Sequence, residues 1–161
     1  MWPGEIQRHG AKEWNPEVLA LDIGGVKRRA VEARKRLEAQ DGRPVVVVLN
    51  YESAWREPMA SLLLGVMWDV VVFDESHRIK APQGKASKFC ASLFRHSRKR
   101  IALTGTPLPH SPLDAFAQFR ALDPGIFGNS FVAFRARYAV MGGYGGHQVT
   151  GYQNVKDFYQ K

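Results

Sequence analysis

Two adjacent carboxylates, Asp74 and Glu75, directly follow an apolar run, Asp69–Phe73. Such β-branched runs predict a buried parallel strand, and open α/β sheets bind their ligands at the carboxyl ends of these strands. Nucleotide hydrolysis needs this pairing, because one carboxylate can hold Mg²⁺ while its neighbour polarises the attacking water. Neighbouring side chains of an extended chain point in opposite directions, so the two carboxylates can take different roles. The alternative is a strand end with two solvated acids and a chance histidine at position 77, and the preceding apolar run argues against it.

A second apolar run, Arg100–Leu103, ends in a turn that carries two hydroxyls and a glycine, Thr104–Pro107. These short polar side chains can hydrogen-bond the catalytic end of a neighbouring strand, and Gly105 permits close approach of another backbone. An ordinary turn has a similar composition. The pairing of this turn with the first feature, at a spacing of about thirty residues, argues against an ordinary turn.

Together these segments resemble motifs II and III of the Swi/Snf-type ATPases, a branch of helicase superfamily II. Asp74–His77 is similar to motif II, and Leu103–Pro107 is similar to motif III. The resemblance extends over nearly the whole chain. It includes the residues after motif II (Arg78–Lys80), motif Ib (Val48–Glu52), the stretch after motif Ia (Trp2–Ile6) and the end of the first motor lobe (Gly151–Asn154).

The resemblance implies ATP as the nucleotide, with Asp74 binding Mg²⁺ and Glu75 acting as the catalytic base. Members of this family convert ATP hydrolysis into translocation along double-stranded DNA. Four residues are implied to couple the nucleotide state to this movement: His77, Thr104, Gly105 and Thr106. Three more are implied to lie near the DNA backbone: Asn50, Tyr51 and Lys80.

Several positions depart from the family pattern. No glycine-rich loop ending in Gly-Lys-Thr or Gly-Lys-Ser precedes Asp74, although phosphate binding in this class needs one. Gly24–Lys27 lacks that ending, and Gly84–Ser87 has alanine after its lysine and follows the acidic strand. His110 stands where the family often has asparagine, which puts a role there in doubt. Ser76 replaces alanine or glycine, a minor variation.

These departures lead us to expect a piece of a longer motor: a gene fragment, one half of a split enzyme, or a mis-assigned start at Met1. The arginine of the second motor lobe, which can be worth about 10³–10⁵ in rate, is also missing. We expect the chain alone to be nearly inert and to need the missing motor segments in cis or in trans. Without a phosphate-loop strand beside it, Ile101–Leu103 would form an unpaired apolar edge that favours self-association.

The charge of the chain indicates a polyanionic partner. Lys and Arg number 23 against 15 acids, a net charge of +8. Residues 78–100 carry eight Lys and Arg and no acid, which favours nucleic acid, whereas the diluted cluster at 27–36 is typical of a solvated helix face. No apolar run is long enough for a membrane span. The single Cys90 is expected to be a small apolar helix residue. A single cysteine cannot form an internal disulfide, so we expect a cytoplasmic protein, of bacterial or phage origin.

The surrounding pattern predicts an α/β layered fold with a parallel sheet. The resemblance implies that this fold is RecA-like, with three layers and a mostly parallel sheet, and incomplete at its N-terminal side. Residues 1–161 would form one partial N-terminal, ATP-binding lobe. The Gly-rich segment Met141–Gly146 is expected to be a flexible loop, and Asn154 is expected to cap a final helix. Strands are predicted at Val18–Leu21, Pro44–Leu49, Asp69–Phe73 and Arg100–Leu103, and helices at Val26–Gln40, Ala54–Leu64, Ala86–Phe94, Ser111–Leu122 and Ser130–Val140.

Two other functions remain open. One is a non-enzymatic DNA-binding or scaffolding module that kept the fold, and the intact pair Asp74–Glu75 argues against it. The other is an RNA-directed helicase of the same superfamily. The resemblance of Ile79–Lys80, Trp2 and Tyr51 to the Swi/Snf branch argues against this second alternative.

Overall fold

A computed structural model of the 161-residue chain describes residues 2–10, 13–39 and 42–161. The chain divides into two compact units, Met1–Val66 and Met67–Lys161. Among the described residues no helix is long and apolar enough to cross a membrane.

The first unit alternates helices with two short parallel strands. Its strands pair in register from Glu17 opposite Val45 to Ala20 opposite Val48, which confirms the weaker of the predicted strands. The elements of this unit are α1 (Trp2–His9), β1 (Glu17–Ala20), α2 (Val26–Glu38), β2 (Val45–Val48), α3 (Tyr51–Ala54) and α4 (Met59–Leu64).

Helix α2 packs its small apolar face inward, as its periodicity predicts. Ala30 and Ala33 are buried, while two of its arginines tie the helix to its surroundings. Arg29 donates to the Ser53 hydroxyl at 2.7 Å, and the Arg36 guanidinium pairs with Glu17. Part of the basic cluster at 27–36 therefore stabilises the unit. The predicted helix end at Gln40 lies outside the described residues.

The second unit contains two further strand pairs and a run of helices. Strands β3 (Trp68–Asp74) and β4 (Ser97–Leu103) pair in parallel, whereas β5 (Ala139–Gly142) and β6 (Gln148–Tyr152) form an antiparallel hairpin. Its helices are α5 (Lys85–Ser92), α6 (Ala115–Leu122), α7 (Pro124–Phe127), α8 (Phe131–Tyr138) and α9 (Val155–Tyr159), and short 3₁₀ turns cover Ser76–Ile79, Leu93–His96, Pro112–Asp114 and Tyr144–Gly146.

The core of the second unit is an aromatic cluster. Phe116 on α6 is fully buried, with ring centroids 5.4 Å from Phe131 and 5.2 Å from Phe134. Tyr138 closes the cluster, and its hydroxyl donates to Asp157 at 2.6 Å, which ties α9 to α8. We use the name aromatic cluster for Phe116, Phe119, Phe127, Phe131, Phe134, Tyr138 and Phe158.

Several predicted helix boundaries are wrong for identifiable reasons. The single helix expected over Ala54–Leu64 is two, α3 and α4, because the proline at position 58 cannot donate an intrahelical hydrogen bond. The helix expected to continue to Val140 ends at Tyr138, since the backbone becomes extended at Ala139 and enters β5. Helix α5 begins at Lys85, one residue early, and a 3₁₀ turn from Leu93 onward replaces its predicted end.

Two expectations near the C-terminus are also corrected. The predicted loop Met141–Gly146 begins two residues too early, because Met141 and Gly142 end β5, and the rest forms the tip of the β5–β6 hairpin with Gly143, Gly145 and Gly146 at positive φ. Asn154 precedes α9, but its side chain does not cap that helix. Instead the Asn154 carboxamide donates to the carbonyl of Arg137 at 2.7 Å and satisfies the end of α8.

The described residues cover the β3–β4 pair on one face only. Phe73 is buried against the helices, but side chains on the other face are 39–46% exposed: Val70, Val72, Ile101 and Leu103. The prediction of buried strands is therefore wrong for the open face of this pair. An apolar run shows which side chains a strand carries, but it does not show whether another element packs against them. Among the described residues β4 pairs only with β3, which leaves its other edge unpaired, as expected.

Candidate active site at the carboxyl ends of β3 and β4

The parallel register of β3 and β4 brings the two motif segments together. Asp74, the last residue of β3, lies opposite Leu103, the last residue of β4. The chain continues into Glu75–His77 on one side and into Thr104–Pro107 on the other. The two segments that the sequence singled out therefore leave the same edge of one sheet.

Glu75 has a left-handed backbone conformation, with φ 47° and ψ 51°. For a non-glycine residue this conformation costs about 1–2 kcal/mol. The amide of Glu75 donates to Asp74 Oδ1 at 3.0 Å, and its carbonyl accepts from the amide of Arg78 at 2.9 Å. The turn presents Glu75 with its side chain 59% exposed, whereas Asp74 is half-buried.

His77 joins the acidic turn to the hydroxyl turn. Its Nδ1 lies 3.0 Å from Thr104 Oγ1 and 3.3 Å from Glu75 Oε2, so an Nδ1–H can donate to either oxygen. Thr104 Oγ1 also accepts from the amide of Thr106 at 3.1 Å. Four of the predicted site residues, Glu75, His77, Thr104 and Thr106, thus form one chain of contacts.

A buried contact between the same two turns was not predicted. Ser76 is 1% exposed, and its hydroxyl donates to Gln118 Oε1 at 2.7 Å. Gln118, on α6, is 4% exposed and donates through Nε2 to the carbonyl of Pro107 at 2.6 Å. The available signal was a single carboxamide within the apolar helix segment Ala115–Leu122. Ser76, treated as a minor variation, is one of its partners.

The close approach that Gly105 permits is not made by any of the described residues. A Cβ added to Gly105 would meet no atom within 4 Å, because the turn is open to solvent there. Any tight contact that requires glycine at this position must involve a group outside the described residues.

The candidate DNA-backbone residues fall in different units. Asn50 and Tyr51 follow β2 in the first unit, where Asn50 Oδ1 accepts from the amide of Ser53 at 2.8 Å and caps α3. Lys80 lies in the second unit, just after the 3₁₀ turn Ser76–Ile79 that carries His77.

The basic run at 78–100 is not one continuous surface. Arg78 and Lys80 lie near the carboxyl end of β3, whereas Arg98 and Lys99 lie at the opposite end of the strand pair, across about 20 Å of sheet. Arg98 lies 3.4 Å from Asp69, and Arg100 donates to the carbonyl of Leu122 at 2.6 Å. The end nearest the carboxylates, together with Lys85 and Lys88 on α5, is the better candidate for a phosphate backbone.

The carboxylates fit a magnesium ion that is shared with a nucleotide. The described residues contain no group of three or more His, Cys, Asp or Glu side chains placed to hold a metal. Mg²⁺ at nucleotide sites needs no such group, because it is held by one or two carboxylates together with water and phosphate oxygens. Asp74, oriented by the amide of Glu75, suits that coordination.

Comparison with known proteins gives a consistent family. The SNF2-related domain matches residues 1–148. The Saccharomyces cerevisiae ISWI chromatin-remodeling complex ATPase ISW1 is 33% identical over 130 residues, 80% of this chain, and ISW2 is 32% identical over 118 residues, 73% of this chain. The human DNA annealing helicase and endonuclease ZRANB3 is 29% identical over 129 residues, 79% of this chain. The chain spans 10–11% of the length of these relatives.

A solved structure shares the fold. The SWI2/SNF2 ATPase core of Sulfolobus solfataricus in complex with dsDNA matches with a TM-score of 0.54 and 25% sequence identity. The match covers 84% of this chain and 30% of that chain. It confirms the α/β, RecA-like fold class predicted from the sequence.

Proposed function

This chain belongs to the SNF2-related family, and we propose that it supplies the motif II and motif III part of a motor that hydrolyses ATP and moves along double-stranded DNA. We further propose that residues 1–161 form part of the N-terminal motor lobe. The observation that carries this proposal is the junction of Glu75, His77 and Thr104 at one edge of the β3–β4 sheet.

Each residue at this junction has a distinct proposed role. Asp74 would hold Mg²⁺, and the ion would neutralise charge on the phosphate oxygens of ATP. Glu75, exposed and directed away from the covered core, accepts a proton from the attacking water. His77 Nδ1–H is placed to donate to Glu75 Oε2 or to Thr104 Oγ1, and a switch between these two acceptors would link Glu75 to the turn after β4. Because Thr104 also fixes the amide of Thr106, a change at the nucleotide would reach the turn after β4 directly.

DNA is the proposed track. A net charge of +8 favours a polyanion, and the solved relative from Sulfolobus solfataricus is a complex with dsDNA. Lys80 lies three residues from His77, so a phosphate contact made there would be close to the hydrolytic site. Asn50 and Tyr51 are proposed to provide further backbone contacts.

The decisive experiment uses a longer protein that includes this chain, a phosphate-binding loop and a second motor lobe. We expect ATP hydrolysis that duplex DNA stimulates and that Glu75→Gln abolishes, because the amide cannot accept the proton of the attacking water. Gln153→Leu, on the β5–β6 side of the unit, serves as the matched control and should retain stimulation. DNA-stimulated hydrolysis that survives Glu75→Gln would contradict the proposal.

DNA binding can be tested separately. If the basic residues contact phosphates, the logarithm of the affinity for duplex DNA should fall linearly with the logarithm of salt concentration and be independent of base sequence. We expect Lys80→Glu to weaken binding equally for unrelated duplexes. A salt-independent, sequence-selective interaction would contradict this assignment.

A further inference from the structure

Two separate contacts join the turn after β3 to the turn after β4. One is solvent-accessible and runs through His77 and Thr104. The other is buried and runs through Gln118, whose carboxamide accepts from the Ser76 hydroxyl at 2.7 Å and donates to the Pro107 carbonyl at 2.6 Å. The same Nε2 donates to the carbonyl of Asp114 at 3.0 Å, so both ends of the carboxamide are bonded.

We propose that Ser76 and Gln118 are positioning residues that hold Glu75 and the Thr104–Pro107 turn at a fixed separation. Ser76 directly follows Glu75, whose left-handed backbone must be held by its surroundings. A hydroxyl anchored in the core one residue later restricts how that turn can relax. The consequence for hydrolysis rests on the proposed function, whereas the consequence for the turns does not.

Helix α6 gives the carboxamide a rigid support. Gln118 lies between buried Ala117 and the half-buried Phe119, on the helix that carries Phe116 into the aromatic cluster. The position of the carboxamide is therefore set by packing rather than by solvent-exposed contacts. Through Gln118, the helix that carries Phe116 into the aromatic cluster is connected to both turns of the candidate active site.

The burial of the Gln118 carboxamide indicates that its hydrogen bonds matter for the placement of the two turns. A buried carboxamide without partners is costly, while an apolar side chain of similar size would pack at this position without that cost. The carboxamide also selects one orientation, because its oxygen faces a donor and its nitrogen faces two acceptors. The bonds of Gln118 thus specify the relative placement of the two turns.

Asp114 extends the anchor to the far end of the second turn. Its carboxylate accepts from the amide of His110 at 2.9 Å and from the amide of Ser111 at 3.3 Å, while its carbonyl receives Gln118 Nε2. The segment after β4 is consequently held at Pro107 through Gln118 and again at His110. This backbone contact is the role that the structure gives to position 110.

Hydrogen exchange on the 161-residue chain tests the anchor without any nucleotide. The informative amides are those of Glu75, Arg78, Lys80 and Thr106, which are hydrogen-bonded within the two turns. We expect Gln118→Leu to speed their exchange about tenfold, equivalent to about 1.4 kcal/mol, with amides of α8 unchanged. Gln153→Leu removes a comparable carboxamide-to-carbonyl bond elsewhere and should leave both turns unchanged.

The double variant Ser76→Ala/Gln118→Leu separates positioning from stability. Gln118→Leu leaves both the Ser76 hydroxyl and the Pro107 carbonyl without their partner, and the double variant removes the first of these two groups. The unfolding midpoint should therefore recover in part relative to Gln118→Leu. Exchange in the two turns should remain fast, because the connection between them is still absent. Equal acceleration throughout the unit in Gln118→Leu, or turns as protected as in the wild type, would overturn the proposal.

Hydrolysis supplies the second readout, in the longer protein described above. Misplaced turns should lower kcat about tenfold and leave KM for ATP within about twofold, since both side chains are buried and act through the turns. If Gln118→Leu speeds hydrogen exchange in the two turns but leaves kcat unchanged, the positioning role would be overturned. If even the wild-type longer protein fails to hydrolyse ATP, the proposed function is wrong, and the exchange data still decide whether Gln118 sets the turns.

Discussion

The carboxyl ends of β3 and β4 and the aromatic cluster around Phe116 lie in the same unit but are held by different interactions. At the strand ends, hydrogen bonds fix the geometry, some between the half-exposed His77 and Thr104 and others from the buried Gln118. Glu75 there adopts a costly backbone conformation. In the cluster, aromatic rings pack at centroid distances of 4.9–6.4 Å, and Phe116 has no exposed surface. Packing thus provides the stability, while the strained and solvated end provides the groups suited to chemistry. Substitutions in the aromatic cluster should therefore lower stability, whereas substitutions at the strand ends should lower activity and cost little or no stability.

The largest effect on stability is expected in the aromatic cluster. Phe116→Ala should lower the free energy of unfolding by about 3–5 kcal/mol, because it leaves a cavity among rings that cannot collapse to fill it. Urea denaturation of the 161-residue chain measures this loss. A cost below about 1 kcal/mol would show that the cluster does not support the unit.

A substitution at the strand end should act in the opposite direction. Glu75→Gly should raise the free energy of unfolding by up to about 1 kcal/mol, since glycine adopts φ near 47° without the strain that glutamate bears. The same change should abolish hydrolysis in the longer protein. Comparison of urea midpoints gives the first result. A destabilised Glu75→Gly would mean that the turn is not strained.

The link between α8 and α9 gives a pH-dependent effect of intermediate size. The hydrogen bond from Tyr138 lowers the pKa of Asp157, and Arg137 adds to the shift by its charge. A carboxyl whose pKa is lower in the folded state than in the unfolded state stabilises the fold at pH values above its ordinary pKa. This stabilisation is lost as the pH falls through the folded-state pKa. Tyr138→Phe should therefore be less stable than the wild type near pH 7, and the difference should shrink as the pH falls below 3.8, the ordinary pKa of the carboxyl.

The matching control for this link is Tyr152→Phe, a substitution in the exposed hairpin strand β6. It should show no such pH-dependent difference from the wild type. NMR titration of Asp157 should also report a raised pKa in Tyr138→Phe. An unchanged pKa of Asp157 in that variant would contradict the assigned hydrogen bond.

The smallest stability effect is expected at Gly105. An added methyl group would meet no atom within 4 Å, so Gly105→Ala should change the unfolding free energy by less than about 0.5 kcal/mol. Any loss of hydrolysis in the longer protein would then come from contacts with the nucleotide or another segment. A large loss of stability in the 161-residue chain would contradict the open space that surrounds Gly105 in the structure.

The parts of the fold that could be predicted are those set by local sequence. The β-branched runs that became β2, β3 and β4, and the serine–proline start at Ser111 with its capping box, depend on neighbouring residues only. Adjacent carboxylates at a strand end likewise indicated the candidate site, whose role in hydrolysis is a proposal. Burial of Cys90, which raises the pKa of its thiol to about 12, agrees with its predicted role as an unreactive helix residue.

The parts that could not be predicted depend on long-range contacts. The Gly-rich segment alone predicts only a loop. The strands on either side of it form a hairpin through pairs such as Ala139 with Tyr152, which the local sequence does not show. Gln118 on α6 and Ser76 are 42 residues apart, so no local pattern reveals their hydrogen bond. The open face of Val72 and Ile101 was missed for the same reason, since composition does not record which elements cover a strand.

The central claim is that the ends of β3 and β4 act as one hydrolytic site, and a double-mutant cycle between His77 and Thr104 tests it most directly. In the longer protein, His77→Ala and Thr104→Val should each lower the rate of DNA-stimulated ATP hydrolysis. If the 3.0 Å contact joins the two turns into one unit, the double variant should be about as slow as the slower single variant. A double variant whose loss equals the product of the two single losses would contradict the claim.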